Sequence, residues 1–498
     1  MPEATVTKKT EEKVEEKKEE KPTPKDNLIE TKHSVTIGGK EIKYTVTTGT
    51  IILKEEMQDK DKDADVEKPR AQIFFIAYTR DGVRDKAKRP ITFSFNGGPG
   101  SSSVWLHLGV LGPRRVVLTD DGELPPPPFK LTDNQYSILD QTDLVFIDPM
   151  GTGYSRPVEG EKSKEWHGFK KDIESVGDFI RLYVTRYNRW LSPKFLAGES
   201  YGTMRAAGVS GYLQDRHGMY LNGLMLVSVV LDYTTIHFEL NNDLPYILFL
   251  PAYAAAAWYH GKLNVKTPLQ TLLKEVEEFA AGPYTAALLK GDALAPEEHA
   301  NIVEKMSRYT GISKEFIERT GLRIRDQHFF KELLRDRGRT IGRLDSRFTA
   351  IDRSGVTERP EFDPLLTNVM GPYTAGFYHY IRDELKFESD LPYEILSEKV
   401  WTNWSYKEFE NAYVNTVETL RQAMTHNQYL KVFVANGYYD LGTPYFATEY
   451  TFNHLGLDES LRKNISMEYY DAGHMMYIHM PSLKRMKKDL AGFIKSAM

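Results

Sequence analysis

Three features of the sequence predict a protein of the α/β class. Its expected architecture is a mostly parallel, doubly wound sheet with antiparallel strands at the start and a helical insertion. Short apolar runs alternate with helix-like segments over residues 91–232, as a parallel sheet requires. Gly-rich turns follow these runs directly, at the expected carboxyl ends of the strands, where such sheets bind ligands. Over residues 233–370 the strand-like runs disappear and helix-like stretches dominate.

The composition excludes several functional classes. The chain has 498 residues, 41% of them hydrophobic, which is enough to bury a large core. Its formal net charge of −5 argues against a nucleic-acid or membrane-surface partner. It contains no cysteine, so disulfides, thiolate catalysis and cysteine-ligated metals are excluded. No apolar run reaches the ~20 residues of a membrane-spanning helix. We expect neither a metal nor a cofactor.

The predicted domains follow the chain in order. Residues 1–30 are expected to be a disordered tail rich in Lys and Glu, because they hold too few large apolar side chains to offset the entropy of ordering. An antiparallel hairpin or meander should begin near Thr31. The charged stretch 54–70 is expected to be a surface loop, and the stretch 372–425 to be helical. Residues 31–232 and 371–498 are assigned to the α/β body, and 233–370 to a helical cap over the site.

The clearest catalytic motif is Gly198-Glu199-Ser200-Tyr201-Gly202. A short apolar run precedes it and a small-residue helical pattern follows at once. Such a G-x-S-x-G motif between a strand and a helix predicts a nucleophile elbow, in which Ser200 lies at the tip of a sharp turn. The alternative is an ordinary Gly-rich turn without catalytic function.

A second glycine-rich turn, Asn96-Gly-Gly-Pro-Gly-Ser-Ser-Ser103, follows an earlier predicted strand. Consecutive glycines let backbone N–H groups approach a ligand closely. Acyl-transfer hydrolases build an oxyanion hole from such a loop and from the N–H after the nucleophile. The alternative is a tight strand-to-helix connection.

A serine nucleophile needs a base, and the base needs an acid that holds its tautomer. Asp440 and His474 each follow one of the last two predicted strands. The chain order Ser200, Asp440, His474 is the order found in α/β-hydrolases. Asp148 also follows a strand, but it precedes the serine and is interpreted as a structural turn residue. The remaining late histidines rank lower because they fall in helices or beyond the turn: His426, His454 and His479.

Five motifs together resemble the serine carboxypeptidases, and most closely their bacterial branch: Asn96-Gly-Gly-Pro-Gly-Ser-Ser-Ser103, Asp148-Pro-x-Gly-x-Gly-Tyr-Ser155, Gly198-Glu-Ser-Tyr-Gly202, Asn436-Gly-Tyr-Tyr-Asp440 and Gly473-His-Met475. The resemblance covers residues 70–232 and 370–498. It implies an α/β-hydrolase fold with a helical insertion and hydrolysis of the C-terminal peptide bond of peptide substrates.

The resemblance also implies residue roles. Ser200 would be the nucleophile, Asp440 the acid and His474 the base. The N–H groups of Gly98 and Tyr201 would form the oxyanion hole. Two further residues, Asn96 and Glu199, resemble those that bind the terminal carboxylate of the substrate.

Three positions depart from the eukaryotic pattern of this family. Ser94 stands where that pattern has Trp, Ser101 where it has Cys, and Val110 where it has a second Glu. The carboxylate-binding set is incomplete by that standard. A basic residue, Arg205 or Arg114, is a candidate to compensate.

A glutamate can hydrogen-bond a substrate carboxylate only while it carries a proton. If Glu199 has this role, cleavage of peptides should be favoured at acidic pH, and cleavage of esters much less so. The alternative role for Glu199 is that of a buried structural partner within the elbow.

Two other functional classes stay open. An esterase or acyltransferase could use the same triad, since fold and nucleophile are shared across such chemistries. A non-catalytic binding protein could keep the scaffold, although the intact triad argues against it. We expect a periplasmic or secreted location, with a signal peptide already removed from this chain. The sequence leaves the oligomeric state open, with a homodimer as one option.

Overall fold

The computed structural model describes residues 24–59, 64–263 and 266–498. Most of the expected N-terminal tail therefore lies outside the described residues. Within them, the first strand begins at Asn27 rather than near Thr31, because it pairs along its whole length with the next strand, from Asn27 opposite Thr50 to Ile37 opposite Lys40.

Strands of the main sheet carry the site at one edge. In chain order the strands are β1 (Asn27–Ile37), β2 (Lys40–Asp59), β3 (Ala64–Arg80), β4 (Ile91–Phe95), β5 (Arg114–Val116), β6 (Leu131–Asp133), β7 (Asp143–Ile147), β8 (Arg156–Pro157), β9 (Lys194–Ser200), β10 (Gly223–Val229), β11 (Thr340–Ile341), β12 (Thr349–Ala350), β13 (Lys431–Gly437) and β14 (Ile465–Tyr470). The main sheet has the order β1-β2-β3-β7-β4-β9-β10-β13-β14, with β8 paired to β3.

The sheet combines two pairing modes. Strands β1, β2 and β3 pair antiparallel, and β3 pairs antiparallel with β7. From β7 onward every neighbouring pair is parallel. The central strands β4, β7 and β10 are buried along their whole length, which explains why they appear in the sequence as continuous apolar runs. This is the predicted α/β architecture of a mostly parallel sheet with antiparallel strands at its start.

Helices cover both faces of the sheet. Their bounds are α1 (Val104–Leu106), α2 (Phe169–Arg186), α3 (Tyr201–His217), α4 (Leu244–Tyr259), α5 (Leu269–Phe279), α6 (Thr285–Lys290), α7 (Pro296–Thr310), α8 (Lys314–Arg319), α9 (Asp326–Glu332), α10 (Pro364–His379), α11 (Glu398–Trp401), α12 (Val417–His426), α13 (Tyr445–Asn453), α14 (Glu459–Arg462) and α15 (Met480–Ser496). Helices α2, α3 and α12 contribute to one hydrophobic core, and α10 and α15 to the core on the opposite face.

Between β10 and β13 the chain forms a helical segment with its own core. Apolar residues of α4 to α9 pack together there, with Phe249, Val276 and Phe329 at the centre. Helix α10 begins at Pro364 and places Leu365 and Val369 in the core of the main body. The chain thus rejoins the main body within α10.

Two expectations about local structure were wrong. The stretch 54–70 is not a loop in its described part, because β2 and β3 continue as a paired ribbon in which Lys54 lies opposite Pro69. The stretch 372–425 is only partly helical, because the short α11 and one 3-10 turn at 407–409 are the only helical pieces in the described chain between residues 385 and 416. Among the described residues, no helix is both long and apolar enough to cross a bilayer.

Candidate active site

Four predicted site segments meet at the carboxyl edge of the parallel strands. Asn96 follows β4, Ser200 ends β9, Asp440 lies beyond β13 and His474 beyond β14. Strands β4 and β9 are neighbours, as are β13 and β14, and β10 lies between the two pairs. Parallel pairing therefore brings together residues that are up to several hundred positions apart in the chain.

Ser200 occupies a strained turn. Its φ of 60° and ψ of −131° lie in a region that residues with a side chain rarely adopt. The flanking glycines make this turn possible. A Cβ on Gly198 would lie 2.1 Å from the backbone oxygen of Gly202, and one on Gly202 would lie 3.0 Å from the backbone oxygen of Phe95. The motif therefore forms the sharp strand-to-helix turn that the sequence predicts.

The loop after β4 packs directly against this turn. A Cβ on Gly97 would lie 2.6 Å from the backbone nitrogen of Tyr201, so only glycine allows such an approach. Gly98 has a φ of +102° and needs glycine for conformational reasons as well. Helix α3 begins at Tyr201, and the first N–H groups of a helix have no partner within it. The loop and the helix N-terminus thus face each other beside Ser200.

Asp440 and His474 form a buried, hydrogen-bonded pair. His474 Nδ1–H donates to Asp440 Oδ2 at 2.7 Å, and the other carboxylate oxygen accepts from the N–H groups of Gly442 at 2.7 Å and Thr443 at 3.0 Å. This bond leaves Nε2 of His474 as the proton acceptor. Burial lowers the pKa of His474, but the charge and hydrogen bond of Asp440 outweigh it, so the pKa lies above its usual value.

Ser200 and His474 line one cavity of about 360 Å³. Its polar wall also includes Asn96, Gly98 and Glu199, and its apolar wall includes the residues Trp105, Leu344, Leu366, Leu396, Trp401 and Met475. Five of the seven predicted site residues therefore line the same cavity. The other two are Asp440, which is hydrogen-bonded to His474, and Tyr201, which begins α3 directly after Ser200.

Glu199 is buried beneath this cavity. Its Oε2 accepts a hydrogen bond from the hydroxyl of Tyr477 at 2.7 Å. Burial raises the pKa of Glu199 to about 7, although the positive charge of His474 and the hydroxyl of Tyr477 both act to lower it. Asn96 Nδ2 makes no hydrogen bond of normal geometry in the described structure, but it lies close enough to Glu199 to favour its ionised form. Near neutral pH the Glu199 carboxyl is thus partly protonated.

Neither arginine proposed to replace the second Glu lines the cavity. Arg205 is fully buried under the elbow, where its Nε donates to Asp172 Oδ2 at 2.8 Å and its Nη1 to the backbone oxygen of Asn96. Arg114 pairs with Asp133 at 2.6 Å and with Glu384 at 2.7 Å. Arg205 instead ties α3 to the loop after β4. Val110 is buried in the main core.

The sequence did not reveal that Arg343, in the helical segment, would line the cavity. The segment 343–347 also supports the triad loops. The backbone oxygen of Leu344 accepts the His474 N–H at 2.6 Å, and Asp345 Oδ2 accepts the Gly473 N–H at 2.9 Å. Arg347 donates to both oxygens of Asp345. No periodicity marks this short segment, so only the structure could locate it.

Asp148 has the structural role expected for it. Its Oδ1 accepts from both the N–H and the hydroxyl of Ser103 at 2.9 Å, which anchors the end of the glycine-rich loop. Among the described residues lining the cavity, the one histidine is His474. The three lower-ranked histidines lie elsewhere.

The model of one protein family, described as serine carboxypeptidase, matches residues 64–496. The chain belongs to the serine carboxypeptidase family. Among curated proteins, it is 34% identical over 160 residues to the pheromone-processing carboxypeptidase KEX1 of Saccharomyces cerevisiae, a match covering 31% of this chain and 20% of that protein. It is 24% identical over 211 residues to serine carboxypeptidase-like 45 of Arabidopsis thaliana, covering 41% of this chain and 40% of that protein.

These matches span less than half the length of either relative. Both relatives are eukaryotic proteins, and the expected place in the bacterial branch stays a prediction. Among solved structures, the chain is similar to a prohormone-processing carboxypeptidase from Saccharomyces cerevisiae, with a TM-score of 0.55 and 18% identity over 90% of this chain and 91% of that one. This likeness, together with the sheet and elbow described above, establishes the α/β-hydrolase fold.

Proposed function

We propose that this member of the family is a serine carboxypeptidase that releases the last residue of a peptide. The observation that carries the proposal is that Ser200, on its strained elbow, and His474, held by Asp440, line one cavity together with the glycine-rich loop. Membership of the family supports the same conclusion.

The chemistry follows from the placement of these groups. Ser200 Oγ attacks the carbonyl carbon of the last peptide bond, while its proton passes to His474 Nε2. The N–H groups of Gly98 and Tyr201 stabilise the negative charge on the carbonyl oxygen. The leaving amine takes the proton from His474 as the C–N bond breaks. Water then attacks the acyl-enzyme with His474 again as base, which frees the shortened peptide and restores Ser200.

Binding of the terminal carboxylate is assigned to Asn96 and Glu199. A protonated Glu199 can donate a hydrogen bond to that carboxylate, whereas the ionised form repels it. Since burial raises the pKa of Glu199 to about 7, the protonated form dominates under acidic conditions. We therefore propose that peptide cleavage is favoured at acidic pH.

One observation favours a second candidate, an esterase or acyltransferase with the same triad. Val110 is apolar and buried where the eukaryotic pattern of the family has its second glutamate. A weaker carboxylate site would suit substrates without a free terminal carboxylate. Such an enzyme would cleave a simple ester in a Ser200-dependent way and leave blocked dipeptides intact.

The test measures release of free amino acid from an N-blocked dipeptide between about pH 4.5 and 7.5, a range that includes the pH near 7 at which Glu199 is expected to lose its proton. The intact protein is compared with Ser200→Ala. Release that depends on Ser200 supports the carboxypeptidase proposal. An untouched dipeptide, together with Ser200-dependent cleavage of an ester, replaces it with the esterase or acyltransferase.

A periplasmic or secreted location is a further proposal. Fractionation of the source cells, followed by immunodetection of the protein, tests it. Recovery of the protein from the cytoplasmic fraction alone would contradict the proposal.

A further inference from the structure

Arg343 places a positive charge in the wall of the active-site cavity. Its side chain is exposed, and it makes no ion pair or side-chain hydrogen bond within the described residues. It is the one lysine or arginine among the described residues lining this cavity. An arginine beside a catalytic serine is a ready partner for a carboxylate of the substrate.

A second cavity also has Arg343 in its wall, and its volume is about 240 Å³. Its wall is apolar at Phe330, Ile341 and Phe362, and it carries a second arginine, Arg359. The Arg359 side chain also has no ion-pair partner within the described residues. The carboxylate of Asp363 borders this space but is occupied by backbone N–H groups, among them those of Arg343 at 2.8 Å and Leu344 at 3.0 Å.

Arg343 and Asn96 lie on opposite sides of the strand that carries Ser200. Asn96 follows β4, which neighbours that strand. The Arg343 guanidinium group lies next to Gly442, in the loop beyond β13. A Cβ added to this glycine would be 3.1 Å from Nη1 of Arg343. Strand β13 lies on the other side of β9, beyond β10. A terminal carboxylate held on the Asn96 side leaves the Arg343 side of the cavity for the part of the substrate that precedes the cleaved bond.

We infer that Arg343 binds an acidic side chain of the residue preceding the cleaved bond, and that the second cavity, with Arg359, receives the residue before that one. The substrates favoured by this site are peptides with acidic residues just ahead of their C-terminal residue. The inference rests on the proposed carboxypeptidase function. It assigns to the helical segment a specificity that the triad itself does not determine.

The experiment compares pairs of N-blocked dipeptides with the same C-terminal residue and either Glu or Gln before it. The wild-type enzyme should favour the Glu peptide about tenfold in kcat/KM, which corresponds to about 1.4 kcal/mol. Arg343→Gln should bring this ratio close to one, mainly through KM for the Glu peptide. Arg343→Glu should reverse the preference toward a peptide with Lys at the same position.

Two variants serve as controls. Arg114→Gln removes an arginine that pairs with Asp133 and Glu384 and does not line the cavity, so it should leave the Glu to Gln ratio unchanged. Arg359→Gln should leave the Glu to Gln ratio at the position preceding the cleaved bond unchanged, and should weaken the preference for an acidic residue two positions ahead of the C-terminal one.

Two outcomes overturn the inference while the proposed function stands. One is Ser200-dependent release with no preference for Glu in the wild type. The other is an equal loss for the Glu and Gln peptides in Arg343→Gln, which would place Arg343 at the terminal carboxylate instead. If no peptide is cleaved by the wild type, the proposed function fails and the inference fails with it.

Discussion

Glu199 and His474 form a coupled pair of titrating residues at the site. The negative charge of Glu199 acts to raise the pKa of His474, and the positive charge of His474 acts to lower the pKa of Glu199. Under the proposed mechanism, the active form for peptides has a proton on Glu199 and none on His474. In a profile of kcat/KM against pH, the two apparent pKa values should therefore belong to the coupled pair. Activity should fall on the acidic side as His474 takes up a proton, and on the alkaline side as the Glu199 carboxyl loses one.

Glu199→Gln should separate the two limbs. The amide cannot ionise, so the alkaline loss of peptide cleavage, expected near pH 7 in the wild type, should disappear. Because the charge that raises the pKa of His474 is removed, the acidic limb should move to lower pH for peptide and ester alike. Profiles of kcat/KM against pH, measured for both substrates, check this. If peptide and ester already share one alkaline limb in the wild type, Glu199 does not bind the terminal carboxylate.

Tyr477→Phe tests the hydrogen bond beneath the site. The hydroxyl of Tyr477 donates to Glu199 Oε2 at 2.7 Å and stabilises its ionised form. Without it the pKa of Glu199 should rise, and the alkaline limb of peptide cleavage should move up by roughly 0.5 to 1 pH unit. Ester cleavage, which does not need a protonated Glu199, should keep its profile above neutral pH and so serves as the internal control. A limb that stays in place, or moves down, would contradict this account of Glu199.

At the scale of a single element, the turn at Ser200 requires glycine at positions 198 and 202, where there is no room for a Cβ. Gly198→Ala would place a Cβ 2.1 Å from the backbone oxygen of Gly202, and neither backbone can move away without displacing Ser200. We expect a loss in the free energy of unfolding on the order of 3 kcal/mol, together with a large loss of activity in the protein that still folds. Chemical denaturation and active-site titration with a fluorophosphonate measure the two effects.

Gly492→Ala is the matched control. Gly492 lies within α15, and a Cβ there would meet no atom within 4 Å. Replacement of an unhindered helical glycine by alanine should stabilise the protein by about 0.5 to 1 kcal/mol without changing kcat/KM. If Gly198→Ala and Gly492→Ala changed the free energy of unfolding and the activity equally, close packing at Gly198 would not be what the elbow requires.

The sequence predicted those parts of the site that lie in regular strand–turn–helix context. Apolar runs with flanking glycines identified β4, β9 and the strand before Asp440, because strands buried on both faces consist mostly of apolar residues. The strand before His474 is only partly buried, and its apolar pattern is weaker. The segment 343–347 has no such pattern. Its contacts join parts of the chain that are far apart in sequence, such as the hydrogen bond from the His474 N–H to the backbone oxygen of Leu344.

Other features were misjudged or missed for related physical reasons. The charged stretch 54–70 was expected to be a loop, but pairing along an exposed antiparallel ribbon tolerates charged side chains, such as Lys54 bonded to Glu67 at 2.9 Å. Arg205 was considered a candidate to compensate for the missing second glutamate in carboxylate binding. Its position on α3 instead directs it into the body, where Asp172 holds it. The sequence did not show in which direction the Arg205 side chain points, and this direction keeps it out of the active-site cavity.

At the scale of the whole molecule, the catalytic edge and a buried ion network occupy opposite ends of the strands. Asp143 begins β7, and its carboxylate accepts from Arg89 Nε at 3.0 Å and from Arg189 Nη1 at 2.6 Å. All three residues are buried. Backbone carbonyl oxygens accept from the Nη atoms of Arg89 and from Nη2 of Arg189, and the hydroxyl of Ser192 accepts from Nε of Arg189. This network joins the amino ends of the strands and contacts none of the site residues.

Asp143→Asn should therefore reduce stability without changing catalysis. Loss of the carboxylate charge leaves two buried guanidinium groups without an anion, which costs about 3 to 5 kcal/mol when one partner of a buried pair is removed. The exposed Asp390→Asn is the control and should change stability by less than about 0.5 kcal/mol. Denaturant titration measures the free energy of unfolding, and kcat/KM per titrated active site measures function. A changed KM or pH profile in Asp143→Asn would mean that the amino ends of the strands communicate with the catalytic edge, contrary to the separation that the fold implies.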